Sequence, residues 1–234
     1  KPTLTARGDR SFLSQVSALI PRTKKNEGAH QVATAVQSHL RAAFAFDPAS
    51  KTMRGYVRQG QRNLLRDGSN ISSVLHSLSI GSEEDRAALA RITEAIRTMP
   101  EEPISSIKFV TTEIGDVILA LKSSDNSRSL IDARVLSDGT LRALAILTAA
   151  ETAESGSRLS IEELDNGVHP SRVAGLVRHI IECGKRRKLN VLCTTHNPAL
   201  LDQLEPGELE TVVVCHRGTE GSLLTPLNQI PRVQ

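Results

Sequence analysis

Tryptophan is absent from this 234-residue chain, and with one tyrosine and four phenylalanines the aromatic share is only 2%. A core without large rings must be filled by Leu, Ile, Val and Ala, which suits helices packed on a sheet. Cysteine is scarce as well: Cys183, Cys193 and Cys215 are odd in number and far apart. Such spacing excludes a disulfide framework and a cysteine metal site. Cys193 and Cys215 sit in apolar, strand-like runs, and the expectation for both is a buried, reduced thiol. No stretch is long and apolar enough to span a membrane, and the N-terminus does not read as a signal peptide. The chain therefore reads as cytoplasmic, with no membrane partner. A P-loop is missing too. The one Gly-Lys pair, Gly184–Lys185, is followed by Arg186 and lacks a glycine five residues upstream.

What is present is ordinary globular composition, 39% hydrophobic and 24% charged. The length allows one large domain or two small ones. The formal net charge of +3 gives a slight basic bias. Arg22, Lys24 and Lys25, and the run Lys185, Arg186, Arg187 and Lys188, are candidate nucleic-acid contacts. Runs of this kind are more often solvated faces or helix-end charges.

Along the chain, helical patterns fall at about 10–19 and 29–46, and the segment 47–70 is rich in charge and glycine but poor in periodicity. Ser82 and Asp85 have capping-box spacing, and behind them Leu89, Ile92, Ile96 and Met99 fall on one helical face. Pro100 and Pro103 stop that helix. From about 106 the period changes: "SIKFVTTEIGDVILALKSS" predicts an antiparallel hairpin turning near Gly115. Three apolar strand candidates then alternate with helices, at 158–163, 189–196 and 210–217. Pro170 opens the helix that carries Val173, Leu176, Val177, Ile180 and Ile181 as a stripe. This alternation predicts a mostly parallel sheet covered by helices, with ligands at the carboxyl ends of its strands.

Two adjacent carboxylates, Glu162 and Glu163, close the first of these strands, and His196 closes the second. Singly each is a weak signal, but their shared topological position lets them converge at one crevice. One carboxylate there can hold Mg²⁺, and the other can orient and deprotonate a water. Upstream, Ser137, Asp138, Gly139 and Thr140 form a small polar turn at the start of a long helix. Such a turn is an anion site in which Gly139 clears the way for a phosphate. The plainer reading is an N-cap by Ser137 or Asp138.

In order, "LSDGT", "LSIEELDNGVHP" and "LCTTHNP" resemble the second half of an ABC-type ATPase domain, of the RecF/SMC-like branch found among bacterial "AAA family ATPases". "FDPASKTMRGY" and "LLRDGSNISSVLHSL" resemble the stretch before the signature in those proteins, so the likeness covers about 40–217. It implies an α/β, P-loop NTPase-like fold with a mostly parallel sheet flanked by helices and a helical insertion. Residues 1–105 would be the mainly helical segment before the signature, and 106–234 the ATPase lobe. Leu136, Ser137, Asp138, Gly139 and Thr140 would be the signature, contacting the γ-phosphate of ATP held by a partner protomer. Glu162 would be the Mg²⁺-side carboxylate of Walker B and Glu163 the general base. Asp165 and Asn166, with Gly167, would form the D-loop at a dimer interface, and His196 would be the switch histidine.

The likeness also implies ATP and Mg²⁺ as cofactors, and a homodimer or higher oligomer built around sandwiched ATP. An effector such as a nuclease subunit, or nucleic acid, would be a further partner, in DNA repair, chromosome maintenance or antiphage defence. Three departures stand out: "LSDGT" replaces the transporter-like LSGGQ, Glu162 stands where Asp is commoner, and the P-loop is lacking. The last predicts a fragment without its N-terminal Walker A lobe. The alternative is a non-catalytic module that donates its signature to a P-loop partner or holds an effector. A metal-dependent nuclease built on Glu162, Glu163, Asp165 and His169 is disfavoured, because two-metal sites draw carboxylates from several strands.

Overall fold

The computed structural model describes residues 15, 19–41, 43–99, 104–124, 130–219 and 221–230. Helix α1 (Glu27–Arg41) leads into strand β1 (Ala43–Phe46). A 3-10 turn (Ser50–Arg54) and the short strand β2 (Val57–Arg58) precede helices α2 (Ile71–Ile80) and α3 (Glu83–Arg97). Strands β3 (Ile104–Thr111), β4 (Asp116–Ser123) and β5 (Leu130–Asp132) follow, then the long helix α4 (Asp138–Thr152). Strand β6 (Arg158–Ile161), helix α5 (Pro170–Arg187) and strand β7 (Asn190–Cys193) come next. A 3-10 turn (Pro198–Gln203), helix α6 (Pro206–Leu209) and strands β8 (Val213–Arg217) and β9 (Ser222–Pro226) complete the order.

Three described strands form a parallel sheet in the order β1-β6-β7, with Phe46 opposite Ile161 and Ile161 opposite Cys193. A second, antiparallel sheet runs β2-β4-β3, with β5 on the other side of β4. The fold is thus α/β, a parallel sheet flanked by helices beside an antiparallel one. The predicted hairpin is there, and Gly115 takes φ 85° at its turn, a conformation that costs glycine little. The capping box is there too: the Ser82 hydroxyl accepts from the Asp85 amide while the Asp85 carboxylate accepts from the Ser82 amide. Helix α3 ends at Arg97 with Thr98 as its cap, ahead of the prolines at 100 and 103, which fall outside the described residues.

Two expectations about secondary structure need correction. The helical pattern at 29–46 ends at Arg41, and Ala43–Phe46 form a strand paired in parallel with β6. The run 210–217 does not join the parallel sheet; β8 pairs antiparallel with β9 instead. An apolar run of this length suits either pairing, and only a distant partner decides between them. The helical pattern at 10–19 lies almost wholly outside the described residues.

Helix α4 is the hub. Gly139 through Glu151 are all buried, so this helix is covered on every side. It packs against α3 and α5, and against β6 at the parallel sheet. The apolar stripe of α5 is buried against it at Val173, Leu176, Val177 and Ile180, while Lys185, Arg186 and Arg187 sit in the last turn, where cations complement the helix dipole. Cys183 is the buried thiol; Cys193 and Cys215 are exposed, contrary to expectation, because β7 and β8 are poorly covered. Burial, and then the nearby Glu151 carboxylate, push the Cys183 thiol up to about 11.

Candidate active site at the carboxyl ends of the parallel strands

The register of the parallel sheet sets Asp47, Glu162 and Thr194 one step beyond the paired residues Phe46, Ile161 and Cys193. The ladder runs on past the strands: the Glu162 amide donates to the Phe46 carbonyl (3.3 Å) and the Thr194 amide to the Ile161 carbonyl (3.0 Å). Returning across it, the Leu164 amide donates to the Thr194 carbonyl (2.9 Å). The loop after β6 and the loop after β7 are therefore laced together. Glu162 and Glu163 are exposed, so the carboxylate pair carries little desolvation cost.

His196 Nε2 lies 3.8 Å from Glu163 Oε1, with the imidazole side chain 90% exposed. On the other side, Asn166 Nδ2 donates to Glu163 Oε2 at 2.8 Å. The Thr195 hydroxyl donates to Asp165 Oδ1 at 2.7 Å, tying the loop of Asp165 and Asn166 to the loop of His196. Glu163 and His196 thus meet at one edge of the sheet, as their strand-end positions predict, and the loop of Asp165 and Asn166 is joined to them there.

Glu163 adopts φ 46°, a left-handed conformation for a residue with a long side chain. That conformation costs a non-glycine residue about 1–2 kcal/mol. Local hydrogen bonds offset it: the Glu163 amide donates to Thr194 Oγ1 (3.0 Å), and its carbonyl accepts from Arg142 Nη2 (3.2 Å) and from the Asn166 amide (2.9 Å). Arg142, buried on α4, also donates to the Glu162 carbonyl (2.9 Å) and to the Pro48 carbonyl (2.6 Å). Neither Arg142 nor Thr194 is visible as a site residue in the sequence, since their partners are backbone atoms of distant loops.

The turn Leu136–Thr140 stands at the other end of the same network. Ser137 is the N-cap of α4: its Oγ accepts from the Thr140 amide at 3.1 Å. Leu136 is buried, and Arg54 Nη1 donates to the carbonyls of Ala133, Arg134 and Leu136 at 3.1, 3.0 and 2.8 Å. Asp138 pairs with Arg54 at 2.5 Å, and that hydrogen bond, followed by one from Ser50, holds its carboxyl below the usual carboxylate range. Packing supplies a further reason for glycine at 139. A Cβ there would lie 2.3 Å from the Gly167 carbonyl oxygen, so close approach to the loop after β6 fills the space. Ser137, Asp138 and Gly139, with Gly167, His169 and the buried Arg172, line an open cleft of about 630 Å³. Arg172 Nη1 donates to Thr140 Oγ1 at 2.8 Å.

The donor set has a bearing on metals. Among the described residues no three His, Cys, Asp or Glu side chains gather closely enough to cage a metal ion. An exposed carboxylate such as Glu162 at a strand end is the kind of ligand Mg²⁺ uses when it keeps most of its water or shares phosphate oxygens.

The family model described as "AAA domain, putative AbiEii toxin, Type IV TA system" (AAA_21) matches residues 39–202, and the chain belongs to this family. Its residues 39–202 are therefore an AAA domain. No curated protein matches the chain. Among solved structures, one described by "ATP-driven dimerization and DNA stimulated activation of SMC ATPases" is 11% identical with a TM-score of 0.46, over 61% of this chain and 84% of that one. An SMC head bound to the C-winged helix domain of ScpA is 12% identical with a TM-score of 0.47, over 67% and 50%. An SMC head from Pyrococcus furiosus with an extended coiled coil, bound to the C-terminal domain of ScpA, is 12% identical with a TM-score of 0.44, over 91% and 48%. The chain thus spans about half the length of the latter two. Among the described residues no helix is long and apolar enough to cross a membrane.

Proposed function

We propose that the chain is the signature-bearing part of an ABC-type ATPase that hydrolyses ATP between two protomers. The observation that carries the reading is the convergence of Glu163 and His196, 3.8 Å apart, at the carboxyl ends of neighbouring parallel strands. In a family of ATPases, a carboxylate there acts as general base, orienting a water toward the γ-phosphate and accepting its proton. His196 hydrogen-bonds a γ-phosphate oxygen and so couples the base to the presence of ATP. Asn166 holds the Glu163 carboxylate from the opposite side. Glu162 would hold Mg²⁺, which supplies charge neutralisation on the phosphates.

The cleft beside Ser137, Asp138 and Gly139 presents the signature to ATP held by a partner protomer, and Asp165 and Asn166 reach the same interface. ATP then acts as a releasable link between protomers, and movement of the helical segment within 47–105 passes the cycle to a partner protein or nucleic acid. DNA repair, chromosome maintenance and antiphage defence are the settings in which such a cycle is used. The 234 residues contain no P-loop pattern.

The test is ATP turnover by the full-length protein before and after Glu163→Gln. Loss of general-base catalysis lowers turnover by about 10²–10⁴-fold. Wild-type turnover in the variant would refute Glu163 as the general base, and absence of any turnover in the full-length wild type would favour the non-catalytic module instead.

A further inference from the structure

Glu163 and Lys188 are the non-glycine residues with positive φ among the described residues. Lys188 is the C-cap of α5, a position where left-handed backbone is ordinary. Glu163 ends no helix. It stands between a strand and a turn, at a place where Gly, Asn or Asp would sit more easily. Strain kept at one residue persists only where the surroundings over-determine it. Here the surroundings come from two separate elements: the loop after β7 supplies Thr194 Oγ1 to the Glu163 amide, and α4 supplies the Arg142 guanidinium to its carbonyl.

We propose that Thr194 and Arg142 are positioning residues for hydrolysis, clamping Glu163 in its left-handed conformation so that its carboxylate faces the reacting water. This rests on the proposed role of Glu163 as general base. Neither residue touches ATP in this scheme. Each fixes one backbone group of Glu163, and together they set the direction of its Cα–Cβ bond. Arg142 begins only three residues beyond Gly139, and it also grips the Glu162 and Pro48 carbonyls. The clamp therefore joins the helix that carries the signature to the residues of the hydrolytic centre in one rigid unit.

Thr194 gives the clean test, because it is exposed and its substitution leaves the core untouched. Thr194→Val removes the oxygen at constant shape, and Thr194→Ser keeps it. In the full-length protein with ATP and Mg²⁺, Thr194→Val lowers kcat by about ten- to a hundredfold, as expected of a misplaced catalytic group, with KM for ATP changed less than about twofold. Thr194→Ser restores kcat. Amide hydrogen exchange, followed without nucleotide, quickens at Glu163 in Thr194→Val by about tenfold or more, while the β6 amides keep their rates. Unchanged kcat and unchanged exchange in Thr194→Val, alongside lost turnover in Glu163→Gln, would overturn the clamp and leave the ATPase reading standing. Full turnover in Glu163→Gln would overturn both the clamp and Glu163 as the general base.

Discussion

Glu151, near the C-terminal end of α4, lies with its side chain fully enclosed among Arg91, Arg186 and His179. Arg91 Nε on α3 is 3.0 Å from Oε2, Arg186 Nη2 on α5 is 2.6 Å from Oε1, and His179 Nε2 is 3.1 Å from Oε1. Burial alone would raise the carboxyl's pKa, but the bonds from His179 and Arg186, reinforced by Arg91, hold it at about 2 against an ordinary 4.5. That difference corresponds to about 3 kcal/mol of folding stability at neutral pH. Arg91 and Arg186 keep 28% and 40% of their side-chain surface in water, so solvent recovers part of their interaction when the anion is lost. Glu151→Gln therefore costs about 2–3 kcal/mol, which in a chain of this size lowers Tm by about 4–12 °C. The carboxyl's folded pKa is depressed, so its contribution is complete above about 4.5 and is lost as pH falls toward about 2. Thermal melts of wild type and Glu151→Gln should thus be far apart at pH 7 and converge in acid. A shift below about 2 °C at pH 7 would refute the view that this carboxylate ties three helices together. So would a gap that persists unchanged near the depressed pKa.

Two further outcomes follow from local geometry. Gly139→Ala forces a methyl group against the Gly167 carbonyl and loses about 1–3 kcal/mol in denaturant unfolding, whereas Gly28→Ala, with open space around it, loses none. Equal stability of the two variants would mean that the Leu136–Thr140 turn does not pack on the loop after β6. Ser137→Ala removes the cap of α4 and costs about 1 kcal/mol, while Ser137→Gly costs only a few tenths. If denaturant midpoints of both variants match wild type, Ser137 contributes nothing as a cap.

Much of the fold was legible because its signals are local. The Ser82–Asp85 box, the turn at Gly115 and the apolar stripe of α5 each state their structure within a few residues. Strand β1 was not legible: "AFAF" follows a helical pattern with no Gly or Pro between, and its four residues are apolar throughout. Only pairing with β6, more than a hundred residues away, makes it a strand. The same holds for β8, whose apolar run fits a parallel sheet but whose partner is the antiparallel β9. The exposure of Cys193 and Cys215 likewise depends on what covers β7 and β8, which no local pattern encodes.

At the candidate site, the sequence by itself determined the chemistry on offer: two carboxylates and a histidine at successive strand ends, an Asp-Asn-Gly loop and a capped helix start. The strand period and the chain order were enough to put Glu163 and His196 on one edge of a sheet. Tertiary structure alone decided how they are held. Thr194 and Arg142 reach Glu163 from 31 and 21 residues away, and each does so through a backbone atom that is identical in every residue type. Backbone groups carry no sequence signature, so a clamp made from them, and the left-handed glutamate inside it, exists only once the helix and both loops have packed.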